Sequence, residues 1–175
     1  MIRKTIAPAF LIRILKGFTL ITSVSLMGAC VSVNLPVQSN RPSSGVKFLQ
    51  PKPPFEEITS VHADRAWQNT KNGNSISFLS ECNDPNEPSL DSVQRDYYSD
   101  FSSLQISLAE DTKMDGRHAV RIEGAGLIEG VATQIRMVVF KKNGCLYTIS
   151  FIGLQTAFAA DRPEFDSFVG SFSAP

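Results

Sequence analysis

Three cysteines, two histidines and a spaced set of aspartates are the side chains in this 175-residue chain whose types bear on chemistry. Cys82 and Cys145 stand 63 positions apart, and neither belongs to a C-x-x-C pair, so thioredoxin-like exchange lacks its motif. A disulfide and a pair of buried thiols are the readings left open by spacing alone. Zinc has no ligand set, because the two cysteines are remote and no histidine stands at short ligand spacing. His62 precedes Asp64 by two residues and His118 sits within "GRHAVR". Each reads as an exposed or hydrogen-bonded side chain unless the fold gathers acidic partners around it. Asp91, Asp96 and Asp100 fall at helical spacings that make a solvated face rather than a paired-carboxylate site. The chain contains no G-x-S-x-G elbow, phosphate-cradling glycine loop or H-E-x-x-H, and "GAG" at 124–126 reads as a bend or bulge in a strand. No catalytic, cofactor-binding or metal-ligating residue is assigned.

Cys30 has a different setting. Arg3, Lys4, Arg13 and Lys16 are the only charges in the first 29 residues, and Lys16 precedes the uncharged run "GFTLITSVSLMGA". That run has the length of a signal-peptide core and falls short of the roughly 20 residues that span a bilayer. Leu26-Met27-Gly28-Ala29-Cys30 resembles the lipobox of bacterial lipoproteins, with Met27 where Leu is usual. The resemblance implies cleavage before Cys30 and acylation of its sulfur and new amino terminus. Several acyl chains satisfy the requirement of stable anchoring, since each buried methylene contributes about 0.8 kcal/mol. Val31, in place of the Asp that signals inner-membrane retention in some lipoproteins, favours the periplasmic side of the outer membrane. Residues 1–29 are then a signal peptide, 30–44 the lipidated cysteine and a Ser/Asn/Pro-rich tether, and 45–175 a domain. The remainder keeps 13 basic residues against 17 acidic ones, a charge of −4. Without a Lys/Arg stripe, that balance argues against nucleic acid as a partner.

Export implies an oxidising compartment, and there the natural reading of Cys82 and Cys145 is a structural disulfide. Closing so long a loop stabilises a fold by about 4 kcal/mol in the chain-entropy view.

The elements that must carry these residues are legible from periodicity. "VKFLQ" and "FEEIT" are short strand candidates, and Pro51, Pro53 and Pro54 confine them to an edge or corner. "RAWQNTKNGNSISFLSEC" reads as a hairpin turning at Asn72-Gly73, with Trp67 on one strand and Ile76, Phe78 and Cys82 sharing a face of the other. Ser89 offers an N-cap to a helix whose stripe is Leu90, Val93, Tyr97, Phe101 and Leu104. Tyr97 and Tyr98 are adjacent and cannot both face the core, so one is a candidate contact residue. "LQISLAED", "RHAVRIEGAGL", "VATQIRMVVFKK" and "CLYTISFIGL" are four strands of a meander, punctuated by Asp115-Gly116, Glu129-Gly130 and Asn143-Gly144. Lys141 and Lys142 form a basic hairpin tip that reads as solvated turn charge. Phe165, Phe168, Val169 and Phe172 mark a last helix with Asp161 as its cap.

The whole is an α+β domain, an antiparallel sheet with helices on its faces. "DRAWQNTKNGNSISFLSEC", "LDSVQRDYYSDF", "MDGRHAVRIEGAG", "GCLYTISF" and "PEFDSFVGSF" together resemble PsbP-like domains over residues 45 to 173. The resemblance implies an α-β-α sandwich and, since PsbP proteins are assembly and stabilising factors, a non-enzymatic binding or assembly role for an envelope complex. Two rivals make distinct demands. A lipid or small-molecule carrier needs an apolar cavity between sheet and helix. A hydrolase needs a polar pocket gathering His62 or His118 with acids.

Overall fold

The computed structural model describes residues 41–84 and 88–175. The signal-peptide reading, lipidation at Cys30 and the tether up to residue 40 lie outside the described residues. The elements run β1 (Phe55–Ile58), β2 (Arg65–Asn69), β3 (Ser75–Cys82), α1 (Leu90–Tyr98), β4 (Ser102–Met114), β5 (Arg117–Ile128), β6 (Val131–Lys142), β7 (Cys145–Leu154) and α2 (Phe158–Ser171). All seven strands form one antiparallel sheet in the order β1-β2-β3-β7-β6-β5-β4. The meander β4 to β7 is complete, and β7 returns to pair with β3 and joins the first hairpin to it. Each meander turn places a non-glycine residue and a following glycine at positive φ: Asp115-Gly116, Glu129-Gly130 and Asn143-Gly144. That geometry matches the twist of the flanking strands.

Strand alternation sorts the apolar side chains into two cores. Trp67, Ile76, Phe78, Phe140, Tyr147, Ile149 and Phe151 meet Phe158, Phe165 and Phe168 of α2 on one face. Ile122, Ile135, Met137, Val139 and Leu146 meet Val93, with Leu90, Tyr97, Tyr98 and Phe101, on the other. The architecture is thus the expected α+β sandwich with one helix per face.

Several local expectations are corrected. The first helix stops at Tyr98, so Leu104 belongs to β4 and not to the helical stripe. Ser89 does cap it, accepting from Ser92 N at 3.1 Å. The last helix begins at Phe158, so Asp161 lies inside its first turn rather than at its cap. "VKFLQ" forms no strand with the sheet. It is a strap over α2, tied by reciprocal backbone bonds between Lys47 and Ser173, and it drops Phe48 into a ring cluster 5.4 Å from Trp67 and 5.3 Å from Phe168. The first hairpin closes on Asn69 and Asn74 around a four-residue loop, and within that loop only Gly73 is at positive φ. The irregular strand opposite Gly124-Ala125-Gly126 is β4, whose register shifts between Ser102 and Gln105 and again between Ile106 and Leu108. β5 itself stays regular, and its glycines make room for that crossing: a Cβ on Gly126 would lie 3.0 Å from the Leu104 backbone. Arg41 and Ser43, read as tether, lie along β3, with Cys82 N donating to Arg41 O at 3.0 Å and Ser43 N to Ser80 Oγ at 2.7 Å.

Candidate functional site

Cys82 and Cys145 are directly opposed on β3 and β7 and form a disulfide, Cα to Cα 4.0 Å. Because the Cys82 N–H is turned outward to Arg41, the pair occupies a non-hydrogen-bonded register position, where opposed side chains approach most closely. The same transverse line of residues continues through Lys142, opposite Cys145, and ends where Arg117 pairs with Met114. This end of the sheet holds an open cleft of about 510 Å³, lined by Glu81, Asp84, Arg117, Lys141 and Lys142 among others. Lys142 donates at 2.7 Å both to Asp115 Oδ2 and to Ala174 O, and Ala174 N donates to the same carboxylate oxygen at 2.9 Å. The Lys142 ammonium is the main cause that holds the Asp115 carboxyl below its ordinary range. Asp115 thereby ties Ala174, in the segment after α2, to the turn between β4 and β5.

The opposite end carries a shallow recess of about 430 Å³ lined by Ile128, Val131, Ile152 and Leu154, with Thr133 and Ser75 beside them. Val131 is 48 % and Leu154 42 % exposed, and Leu127 and Ile106 are exposed nearby on β5 and β4. Val131 and Leu154, left in water beside Ile128 and Ile152 on one face of the sheet, form an exposed apolar recess.

Residues singled out for chemistry do not converge. His118 Nε2 lies 2.9 Å from Asp111 Oδ1, with both side chains mostly exposed, at 64 % and 80 %. His62 is exposed in the connection between β1 and β2, with three strands separating β2 from β5. Asp91, Asp96 and Asp100 are all exposed. Among the described residues no group of three His, Cys, Asp or Glu side chains is placed to hold a metal ion. Tyr97 and Tyr98, one of them expected to be a free contact aromatic, both pack against the second core. Burial raises both phenol pKa values. At Tyr97 the Glu81 charge adds to this and a hydrogen bond with Ser150 opposes it.

Two polar clusters escaped the sequence reading. Asn69, Asn72 and Asn74 each donate a side-chain amide to Asp161 Oδ2 at 2.8 Å, clamping the first hairpin onto α2. Glu123 on β5 accepts from Arg162 of α2 at 2.7 Å and from Gln134 at 3.1 Å, while Arg136 of β6 reaches Asp166 of α2 at 3.0 Å. Arg136 and Glu123 are nearly fully buried, and Arg136 Nε lies 3.7 Å from the Glu123 carboxylate. These carboxylates are engaged by fixed donors, which makes the clusters fasteners between helix and sheet. The only sequence signal was polar residues at positions where alternation demands burial.

The nature of the two open ends is not decided by any sequence match: no protein-family model and no curated protein matches the chain. Among solved structures, the cyanobacterial PsbP (CyanoP) from Synechocystis is similar at 16 % identity and a TM-score of 0.54, covering 85 % of this chain and 99 % of that one. LpqN of Mycobacterium tuberculosis, described as involved in cell envelope biogenesis, is similar at 11 % identity and a TM-score of 0.58, covering 78 % and 86 %. The fold is therefore PsbP-like.

Proposed function

We propose that this chain is a lipid-anchored protein of the bacterial envelope, held through Cys30 on the periplasmic side of the outer membrane, whose domain binds a protein partner without catalysing a reaction. The observation that carries the reading is the exposed apolar recess of Ile128, Val131, Ile152 and Leu154, which lies at the sheet end remote from the point where the chain enters the fold at Arg41. An anchor attached near Arg41 leaves that recess free to meet an apolar segment of a partner. The fold likeness to an envelope-biogenesis protein and to a PsbP protein supports a binding role.

The rival readings find less support. A carrier needs space between sheet and helix, and that space is filled by Phe151, Phe158, Phe165 and Phe168, each at most 1 % exposed. A hydrolase needs gathered acid/base groups, and His62 and His118 stand on different parts of the surface.

Photo-crosslinking in intact cells tests the reading. A crosslinking residue at Val131 is expected to give one discrete adduct with an envelope protein, lost on Leu154→Asp in a domain that still melts normally. The same residue at Lys113 is expected to give none. Equal adducts at both positions, or none at Val131, would sink the docking assignment. Persistent palmitate incorporation in Cys30→Ala would sink the anchor.

A further inference from the structure

The two edges of the sheet are unequal. β1 has 4 residues, whereas β4 has 13, and the outer side of β4 pairs with no strand among the described residues. Its pairing to β5 is regular from Leu108 to Met114. Asp115 and Gly116, both at positive φ, form a two-residue turn that makes Met114 and Arg117 a hydrogen-bonded pair, so the backbone groups of Thr112 and Glu110 also point inward to β5. Those of Ala109, Asp111 and Lys113 point outward. In this stretch only Met114 is buried, and the outward row of donors and acceptors is an open template for another strand. Its charged side chains are Glu110, Asp111 and Lys113. Arg121 reaches Glu110 at 3.3 Å, and His118 lies 2.9 Å from Asp111, whose side chain stays 80 % exposed. Lys113, on the same face as Asp111, forms no ion pair among the described residues.

We infer that β4 pairs antiparallel with β4 of a second copy of this chain, about a two-fold axis at Thr112. Charge selects both the occupant and the register. The axis must pass through a residue, because an axis between two residues would oppose outward backbone groups to inward ones. At Glu110 it would oppose two Glu110 side chains, at Asp111 two Asp111, and at Lys113 two Lys113. At Ala109 or earlier the ladder would run into the register shift between Ile106 and Leu108, and beyond Lys113 the strand runs out. An axis at Thr112 opposes no like charges. Asp111 then faces Lys113 of the other copy in both directions, and each such pair exchanges its outward backbone hydrogen bonds. The four charges alternate in sign around a square. On the other face Thr112 meets Thr112, and Glu110 lies opposite Met114, with Arg117 next in that row. Opposed unlike charges and paired threonines are favourable cross-strand contacts. The ladder stops where β4 turns at Asp115-Gly116, so the interface is small and the dimer exchanges readily. The inference rests on neither the Cys30 anchor nor the apolar recess.

The test places a cysteine on the axis of the full-length chain. Thr112→Cys sets two thiols directly opposite at a non-hydrogen-bonded position, the closest approach in an antiparallel ladder. In Ala109→Cys the two thiols would lie about 20 Å apart. With diamide as oxidant, Thr112→Cys is expected to form a reducible dimer roughly tenfold faster than Ala109→Cys, and the wild-type chain gives the background from Cys30. Adding Lys113→Asp to Thr112→Cys makes both charge pairs repulsive and should slow the link roughly tenfold. Adding Asp111→Lys as well makes them attractive again and should restore the rate. Both side chains are exposed on the edge, so neither change enters a core. Any residue that replaces Lys113 removes both pairs, which is why the link is sought at position 112. No link at 112, equal rates at 112 and 109, a rate indifferent to Lys113→Asp, or a double exchange that stays slow would overturn the pairing.

Discussion

Asn74 Oδ1 occupies the place where a side chain on Gly153 would begin: a Cβ there would stand 1.9 Å from it. Asn74 is fully buried and cannot yield, because its amide donates to Ala157 O at 3.1 Å and to Asp161 Oδ2 at 2.8 Å. Gly153 is therefore required by contact rather than by backbone conformation. Gly153→Ala should cost about 2–3 kcal/mol, read as a lower urea midpoint at unchanged m-value. An unchanged midpoint would mean that the hairpin clamp is not rigid.

Glu123 answers two arginines. Its removal in Glu123→Ala strands the nearly buried Arg136 beside a single partner, Asp166, and frees Arg162. Breaking one member of such a pair is expected to destabilise the domain by about 3 kcal/mol. Thermal melts check this, with Glu110→Ala, whose partner Arg121 is part-exposed, expected to change stability by less than about 1 kcal/mol.

The Cys82–Cys145 bond closes a 63-residue separation. Replacing both cysteines with alanine should cost about 4 kcal/mol in the chain-entropy model. Thiol labelling of the unfolded, unreduced protein should leave both positions unmodified; rapid labelling of either would exclude the bond.

Stability should decline at both ends of the pH range for separate reasons. The Asp115 carboxyl has its pKa lowered in the fold, chiefly by Lys142, so its contribution is complete above the unfolded value, about 3.9, and is lost as pH falls through the lower folded value. Asp115→Asn should flatten that acid decline. Burial raises the Tyr97 pKa, so its protonated form favours the fold. Stability should fall as pH rises past the unfolded phenol value, about 10, towards the higher folded one, and less so in Tyr97→Phe.

Much of the architecture was written in the chain. Strict alternation bounded by Asp-Gly, Glu-Gly and Asn-Gly left little choice for β5, β6 and β7, because each turn needs residues that accept positive φ and each strand needs one face for a core. The α+β class followed from two helical stripes beside those strands. Local signals misled where a tertiary contact outweighed them. Leu104 has helical spacing from Phe101, yet pairing with β5 across Gly124 and Gly126 draws it into a strand. "VKFLQ" alternates like a strand, yet the ring cluster around Phe48 holds it over α2. Asp161 resembles a helix cap, and three asparagine amides from a distant hairpin give it another task.

The candidate surfaces divide in the same way. Sequence alone determined that Cys82 and Cys145 end and begin strands and that Lys141 and Lys142 sit at a turn, because these are properties of neighbouring residues. Only the tertiary structure decided that Arg41, Cys82, Cys145 and Lys142 lie side by side across one end of the sheet, and that Val131 and Leu154 remain open to water at the other. The reason is the return of β7 to β3. That single non-local pairing sets which strand ends are neighbours, and no local pattern in the chain encodes it.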